Sequence, residues 1–491
     1  MIFQVNLLQL LSGNNMPSAK EQLPSQSQHN ILLEHYQSGH YNDAEKLAIS
    51  LTEQFPYDQF SWKVLGAALK KIGRISESLV ASQKAVEINP QDIEAHNNLG
   101  NTLQELGKLE EAEASYRQAI VLKPDFAVAH NNLGNTLKGL GKLEEAGEAY
   151  SKAIILKTDY DEAHNNLGVT LQKLGKLEEA EASYRQAIVL KPDFAVAHNN
   201  LGNTLKELGK LEEAEASYRQ AIELEPNYAE AYYNLGALYL SMGRNFKERG
   251  KISEAVKCFE QALKIYPEDS IGATLELARL GHKSMPDKTP LSYMQNFYKT
   301  KAKAYELGMD NKYFGHLLIE NAFKQTHTQQ GKVDILDLGC GAGNLGRFLR
   351  PYARTLDGVD LSPDMLQVAE KTEQYNSLHK KDLAKYLDET SIHYDMVIAA
   401  AVMVHFSNLE EVFSLVNDTL KVNGKFIFSI FEGTEKDIEL NSSLFYVHSD
   451  NYVRTLANDL NFKIIYRHQG IHEYHKEIPI STLIYSLQKG T

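Results

Sequence analysis

Through the first half of the chain, apolar and small residues recur every three or four positions, the spacing of a helix with one buried face. The pattern itself also repeats. Leu65-Gly66, Leu99-Gly100, Leu133-Gly134, Leu167-Gly168, Leu201-Gly202 and Leu235-Gly236 follow one another at a constant step of 34 residues. A fixed period of that length marks supersecondary units that cannot bury their apolar faces alone and must stack. Within one unit, residues 93–106 and 109–122 carry the helical spacing, separated by Gly107-Lys108 and ended by Pro124, so two antiparallel helices per unit are predicted. From Val333 onward the pattern changes. Apolar runs at 333–338, 355–359, 395–399 and 425–430 alternate with helical stretches, which predicts a parallel-sheet α/β domain. Runs at 462–467 and 481–487 predict an antiparallel pair closing it.

Small residues stand where paired helices must approach closely: Gly100 and Ala112 within one unit, Ala119 toward the next, with Tyr116 as the large partner. On Leu99, Gly100, Ala112, Tyr116, Ala119 and Pro124, repeated in the following units, this half resembles the tetratricopeptide-repeat family. The resemblance implies an all-α superhelix whose concave face grips an extended peptide or a partner protein. The last unit departs from the pattern, with extra residues 244–249 between Gly243 and Gly250, so its first helix should be longer or its turn larger. Residues 107–138 are identical to 175–206, a mark of recent duplication. His96, His130, His164 and His198 fall in register, but equivalent positions of stacked repeats lie about 10 Å apart, too far for ligands about 2 Å from one zinc ion. The neighbouring amides Asn97, Asn98, Asn101, Asn131, Asn135, Asn165, Asn199 and Asn203 both donate and accept hydrogen bonds. They are candidates for peptide contacts, or alternatively for bridges between repeats.

The first run of the second half leads into Asp337-Leu338-Gly339-Cys340-Gly341-Ala342-Gly343. Glycines there let the backbone turn tightly and come close to a ligand. The stretch also satisfies the dinucleotide fingerprint, a weak signal alone. Asp337 distinguishes the readings, because a carboxylate just before the first glycine suits an ammonium and repels a pyrophosphate. Asp360, closing the second run, can accept from two ribose hydroxyls. The region 331–488 resembles the class I methyltransferases, an α/β Rossmann-like fold. Asp337, Gly339, Gly341 and Gly343 match the first motif, and Val359 through Leu366 the ribose contact. Asp382-Leu383 matches the acidic pair beside the adenine, and Leu420 through Lys425 the turn before the fifth strand. The resemblance implies S-adenosyl-L-methionine as cofactor, held by Asp337, Gly339, Cys340, Gly341, Gly343, Asp360, Leu361, Met365, Asp382, Leu383 and Ala400. Repeats and domain together are similar to bacterial methyltransferases that carry tetratricopeptide repeats, in which the segment matched by 446–449 and Tyr452 borders the substrate. Two positions depart from that group. Ala401 stands where an acidic residue is common, and Lys301 where a tyrosine is expected.

Methyl transfer from a sulfonium asks a protein mainly to align the acceptor and exclude water, with a base needed only for a hydroxyl or protonated amine. His405, just past the fourth strand, is the first candidate for that base and His448 the second. His468, His472 and His475 are expected to be exposed loop residues, and the Cys340 side chain is expected to pack beneath the glycine loop. Domain bounds follow: a disordered leader 1–24, repeats 25–267, a solvating cap helix and linker 268–291, and the methyltransferase domain 292–491. The apolar start 1–13 lacks the basic region and cleavage site of a signal peptide, and Met16 is an alternative start. The formal net charge is −13 with signs interspersed, so no basic stripe for nucleic acid is present. Two cysteines, Cys258 and Cys340, suit a reducing compartment. No apolar run reaches the ~20 residues of a membrane span. A cytoplasmic enzyme without bound metal is expected, its methyl acceptor unidentified. Three readings stand: a methyltransferase whose repeats recruit a protein substrate, a small-molecule methyltransferase whose repeats serve assembly, and a non-catalytic scaffold with a degenerate domain.

Overall fold

The computed structural model describes residues 23–306, 314–327, 331–433, 436–475 and 478–490; most of the leader, 1–22, lies outside these. The chain divides into two compact units, 1–231 and 232–491.

The first unit is a stack of helical hairpins. Gln26–Gln37 pairs with Tyr41–Gln54, Gln59–Lys71 with Ile75–Ile88, and Ile93–Glu105 with Leu109–Leu122. Ala127–Gly139 then pairs with Leu143–Leu156, Asp161–Lys173 with Leu177–Leu190, and Ala195–Glu207 with Leu211–Leu224. The recurring glycine sets how closely each pair packs. A Cβ on Gly100 would stand 2.6 Å from the Tyr116 ring, and Gly134, Gly168 and Gly202 meet Tyr150, Tyr184 and Tyr218 in the same way. These tyrosines are fully buried. Between the helices of a pair, Gly107 and its counterparts adopt positive φ, which ends the first helix.

The second unit begins inside the helix Ala229–Glu248, whose 20 residues confirm the lengthening expected from the insertion. The extra turns displace the close approach: Phe259 packs on Gly243, while Gly236 faces Tyr266 and Ile271. The helix Ala273–Arg279, expected to be a solvating cap, is instead buried, with Leu275 and Ala278 against Leu440, Leu444 and Tyr446. Its Glu276, 2% exposed, is held by Lys247, Arg244 and Arg279. A carboxylate in an amphipathic segment normally marks the wet face, whereas here Arg244 and Lys247 of the helix Ala229–Glu248, with Arg279 of the same helix as Glu276, neutralise it.

The strands of the α/β part are β1 (Val333–Leu338), β2 (Ala353–Asp360), β3 (Ser377–Lys380), β4 (Tyr394–Ala399) and β5 (Leu420–Glu432). They continue with β6 (Ile438–Leu440), β7 (Tyr446–His448), β8 (Phe462–His475) and β9 (Ile478–Lys489). They form a mixed sheet in the order β3-β2-β1-β4-β5, with β9 antiparallel on β5, β8 on β9, and β7 and β6 beside the end of β5. β1 is parallel to β2 and β4, and β4 to β5. β1, β4 and the middle of β5 are buried on both faces, which is why they read as unbroken apolar runs. The expected antiparallel closing pair is β8 with β9.

A cavity at the carboxyl ends of β1, β2 and β4

Strand order reverses between β1 and β4, so the loops leaving these neighbours diverge and open a crevice at their carboxyl ends. Residues 339–345 turn there with Gly339, Gly341 and Gly343 all at positive φ. A Cβ on Gly339 would overlap Val402 of the β4 loop, and one on Gly343 would crowd Ala369 and Tyr375. These glycines therefore permit both the turn and its packing. The helix after the loop is short, Gly346–Leu349, because β2 starts at Ala353.

Asp337, Asp360, Asp382 and Glu473 line the cavity, the first two beside the glycine loop. Asp337, 1% exposed, accepts a 2.7 Å hydrogen bond from the Tyr375 hydroxyl, and burial raises its pKa to about 7. Asp360 accepts from the backbone N–H of Gly341 at 2.9 Å and of Ser362 at 2.8 Å. Burial pushes its pKa up, and those amides pull against the rise. Each of its oxygens keeps a lone pair for a further donor. Ser362 caps the helix Pro363–Glu370 and so fixes Met365, buried against Gly341. Across the cavity, Asp382 caps Leu383–Glu389 and pairs with Lys288 at 3.1 Å.

Most of the expected cofactor positions line this one space: Asp337, Gly339, Cys340, Gly341, Asp360, Leu361, Met365, Asp382, Leu383 and Ala400. Gly343 does not. It packs behind the loop against Ala369 and Tyr375. The Cys340 sulfur lies against Gly358 beneath the loop, and burial raises its thiol. Ala401 lines the cavity with φ +56, a left-handed conformation unusual for alanine.

Further lining comes from the helix Leu291–Glu306, β5 and β8. Tyr298 donates to or accepts from His405 Nε2 at 2.7 Å, while Thr289 reaches Nδ1 at 3.3 Å. His405 lines the cavity, and burial, with Lys301 nearby, lowers its pKa to about 4. His448 does not line the cavity. It is fully buried in β7, with Nε2 3.1 Å from the Ser407 carbonyl and its ring stacked on Tyr452. His472, expected to be exposed, is instead 2% exposed and lines the cavity beside Phe431. His468 is exposed, and the His475 side chain lies outside the described residues. Tyr298, Tyr375, Phe431, Phe445 and His472 were missed. The aromatic run Tyr293, Phe297, Tyr298 offered a signal for the first of these; the others carried none.

In the repeat unit, the asparagines bond partly between repeats and partly within their own unit. Asn132 Nδ2 donates to Asn97 and Asn101, Asn166 to Asn131, and Asn200 to Asn165. Tyr116, Tyr150 and Tyr218 hydroxyls donate to Asn101, Asn135 and Asn203. Asn199 donates to Glu230, and the Asn98 carbonyl accepts from Thr102. Asn97, Asn101, Asn131, Asn165 and Asn199 make bonds between repeats, whereas the contacts of Asn98, Asn135 and Asn203 lie within their own unit. His96, His130 and His198 each bond a proline carbonyl six residues back, at 2.9–3.1 Å. Among the described residues no three His, Cys, Asp or Glu side chains are grouped to hold a metal.

Glycine loop, paired carboxylates and strand order define an α/β domain of the methyltransferase type attached to a helical repeat array. Comparison with known proteins agrees. Tetratricopeptide-repeat models match 81–114, 100–141, 134–175, 173–209, 202–243 and 230–269, and a methyltransferase-domain model matches 336–426. The chain thus carries tetratricopeptide repeats followed by a methyltransferase domain. It is 31% identical over 148 residues to the probable S-adenosylmethionine-dependent methyltransferase CRG1 of Saccharomyces cerevisiae, covering 28% of this chain and 50% of that protein. It is 36% identical over 116 residues to the malonyl-[acyl-carrier protein] O-methyltransferase of Halalkalibacterium halodurans, covering 22% and 42%. The chain thus spans about half the length of the curated relatives it matches. Among solved structures, YrrB, a TPR protein with an unusual peptide-binding site, is 27% identical, with coverage of 39% and 95% and a TM-score of 0.34.

Proposed function

We propose that the chain is an S-adenosyl-L-methionine-dependent methyltransferase whose repeat array docks a protein or peptide partner. What supports the reading is one observation: Asp337 and Asp360, from neighbouring strands, border the same cavity beside a loop of positive-φ glycines. That donor set fits the cofactor. Asp360 offers acceptors to the ribose hydroxyls, and Asp337 offers one to the ammonium, whose charge draws it into the ionised form. Met365, Leu361 and Leu383 supply apolar flanks for the base, with Asp382 at its edge. The bound cofactor supplies an activated methyl group. The chain's own residues then orient the acceptor and exclude water. His405, neutral and tied to Tyr298 and Thr289, acts in this reading as a fixed hydrogen-bonding group rather than as a base. A cytoplasmic location belongs to the proposal, since neither Cys258 nor Cys340 is in a disulfide. No helix among the described residues is long and apolar enough to cross a membrane.

Calorimetric titration with S-adenosyl-L-methionine tests it. The wild type should bind, and Asp360→Ala should lose at least tenfold in affinity, since removing a charged acceptor for two hydroxyls costs roughly 1.5–3 kcal/mol. No binding, or equal binding by the variant, would leave the scaffold reading in place.

A further inference from the structure

Successive hairpins of the repeat unit meet in a fixed register, and at one place that register sets like charges together. Residues 35 apart face each other from the first helices of neighbouring hairpins: Asn132 bonds Asn97, Asn166 bonds Asn131 and Asn200 bonds Asn165, at 3.1–3.2 Å. Toward the carboxyl ends of these helices the same step joins a donor to a carboxylate. Lys70 pairs with Glu105 at 2.8 Å, and Gln172 Nε2 donates to Glu207 at 2.7 Å. Between these two places the step sets Lys138 opposite Lys173, two ammoniums where the flanking hairpins have a carboxylate. Repulsion from Lys173 is felt at Lys138, and no carboxylate counters it there. Among the described residues neither lysine is in an ion pair; Lys138 is half-buried, with its ammonium 5.9 Å over the Tyr150 ring. The carboxylates of the same row, Glu105 and Glu207, are already engaged by Lys70 and Gln172. Helix carboxyl ends favour lysine in general, but that does not require two of them to face each other without a counter-charge. The duplicated stretches make the contrast sharp. Residues 107–138 and 175–206 are identical, and the copies part at the next letter, Gly139 in one and Glu207 in the other.

We infer that Lys138 and Lys173 anchor a docking site for an acidic peptide, their ammoniums taking a side-chain carboxylate of a partner segment laid across the first helices. The inference rests on the reading that the repeat array docks a peptide, and adds which kind. A cationic segment would be repelled at this place, and a neutral one would leave two like charges unanswered. With glycine at 139, no side chain at that helix end competes for the ammoniums. Lys206, the counterpart of Lys138 in the identical copy, stands beside Glu207 and is not a second anchor.

The test is fluorescence anisotropy of the full-length protein, without S-adenosyl-L-methionine, against labelled peptides of one length. Each carries a run of glutamates, glutamines or lysines on the same glycine-serine frame. The glutamate peptide should bind roughly fivefold or more tightly than the glutamine one at low salt, the reach of two partly exposed ion pairs, and the lysine peptide most weakly. The preference should fade as salt rises toward about 1 M, where screening acts beyond about 3 Å. Replacing both lysines, Lys138→Met with Lys173→Met, should bring the glutamate peptide down to the glutamine one, whereas Lys138→Arg with Lys173→Arg should keep the preference. Lys206→Met should leave it unchanged. Gly139→Glu, which gives this copy the letter of the other, should weaken the glutamate peptide alone. Equal binding of the glutamate and glutamine peptides by the wild type, or an unchanged preference in the double methionine variant, overturns the inference. Equal binding of both would leave peptide docking in place and remove only its charge preference. The Asp360→Ala titration is read separately, so loss of the cofactor reading leaves this result interpretable.

Discussion

Lys247→Met removes one of three cations from the carboxylate of Glu276. Lys247 Nζ lies 2.6 Å from Oε2 and Arg244 Nε 2.8 Å from Oε1, with Arg279 farther off at 3.5 Å. Glu276 is 2% exposed and the Lys247 side chain only 17%, so water cannot replace the lost partner. Burial pushes the Glu276 carboxyl up, yet the hydrogen bonds from Lys247 and Arg244 prevail and hold it below its ordinary value. Withdrawing one partner from a buried ion costs about 3 kcal/mol, the low end of the range because two cations remain. For a unit of this size that is a fall of roughly 6–12 °C in Tm. Scanning calorimetry of the full chain reads the shift. Fluorescence of Trp62, the only tryptophan and in the first unit, should not move with it. Glu276→Gln in the same background should recover part of the loss. The sign with pH is fixed as well. A depressed carboxyl stabilises above its unfolded value of about 4.5 and loses that contribution as pH falls through the folded one, so the two proteins should converge in acid. An unchanged transition, or a double variant as weak as the sum of both losses, would refute the claim that this cluster holds the buried helix.

Two further outcomes are expected. Gly100→Ala, which drives a methyl to 2.6 Å from the Tyr116 ring, should cost about 1–3 kcal/mol in urea unfolding followed by Trp62 fluorescence, with Gly107→Ala acting through backbone strain instead. Asp337, raised by burial to about 7, favours folding in acid and loses that contribution as pH rises through 7. Cofactor affinity should therefore climb with pH up to about 7 and then level off, and Asp337→Asn should flatten the profile in calorimetry.

The fold was legible where burial writes itself into composition. β1 was bounded to the residue, and the interiors of β2 and β4 within two, because strands covered on both faces tolerate only apolar side chains. β5 was read five residues short at its start. Lys421, Val422, Asn423 and Gly424 spell a turn, and Asn423 does adopt φ +64, but the chain returns to pairing and β5 runs from Leu420 with a register shift opposite β4. β3, Ser377–Lys380, has no apolar run at all and exists because β2 offers it an edge. Nothing local in four such residues announces a strand.

The residues proposed to hold the cofactor were readable for a reason the rest of the cavity lacks. A loop that must turn under a ligand demands glycine, and a cofactor with fixed polar groups demands carboxylates at fixed points, so both constraints leave letters in one short stretch. The rest of the cavity is assembled from a helix before the sheet, the carboxyl end of β5 and the far end of β8, and each contributes a side chain whose meaning depends on the others. His472 shows why. Whether it faces solvent or cavity is decided by a register irregularity between Ile471 and Glu473 in the β8–β9 pair, which resets the alternation of that strand. His472 and the following Glu473 both line the cavity, because the extra residue at that irregularity breaks the strict alternation of the strand.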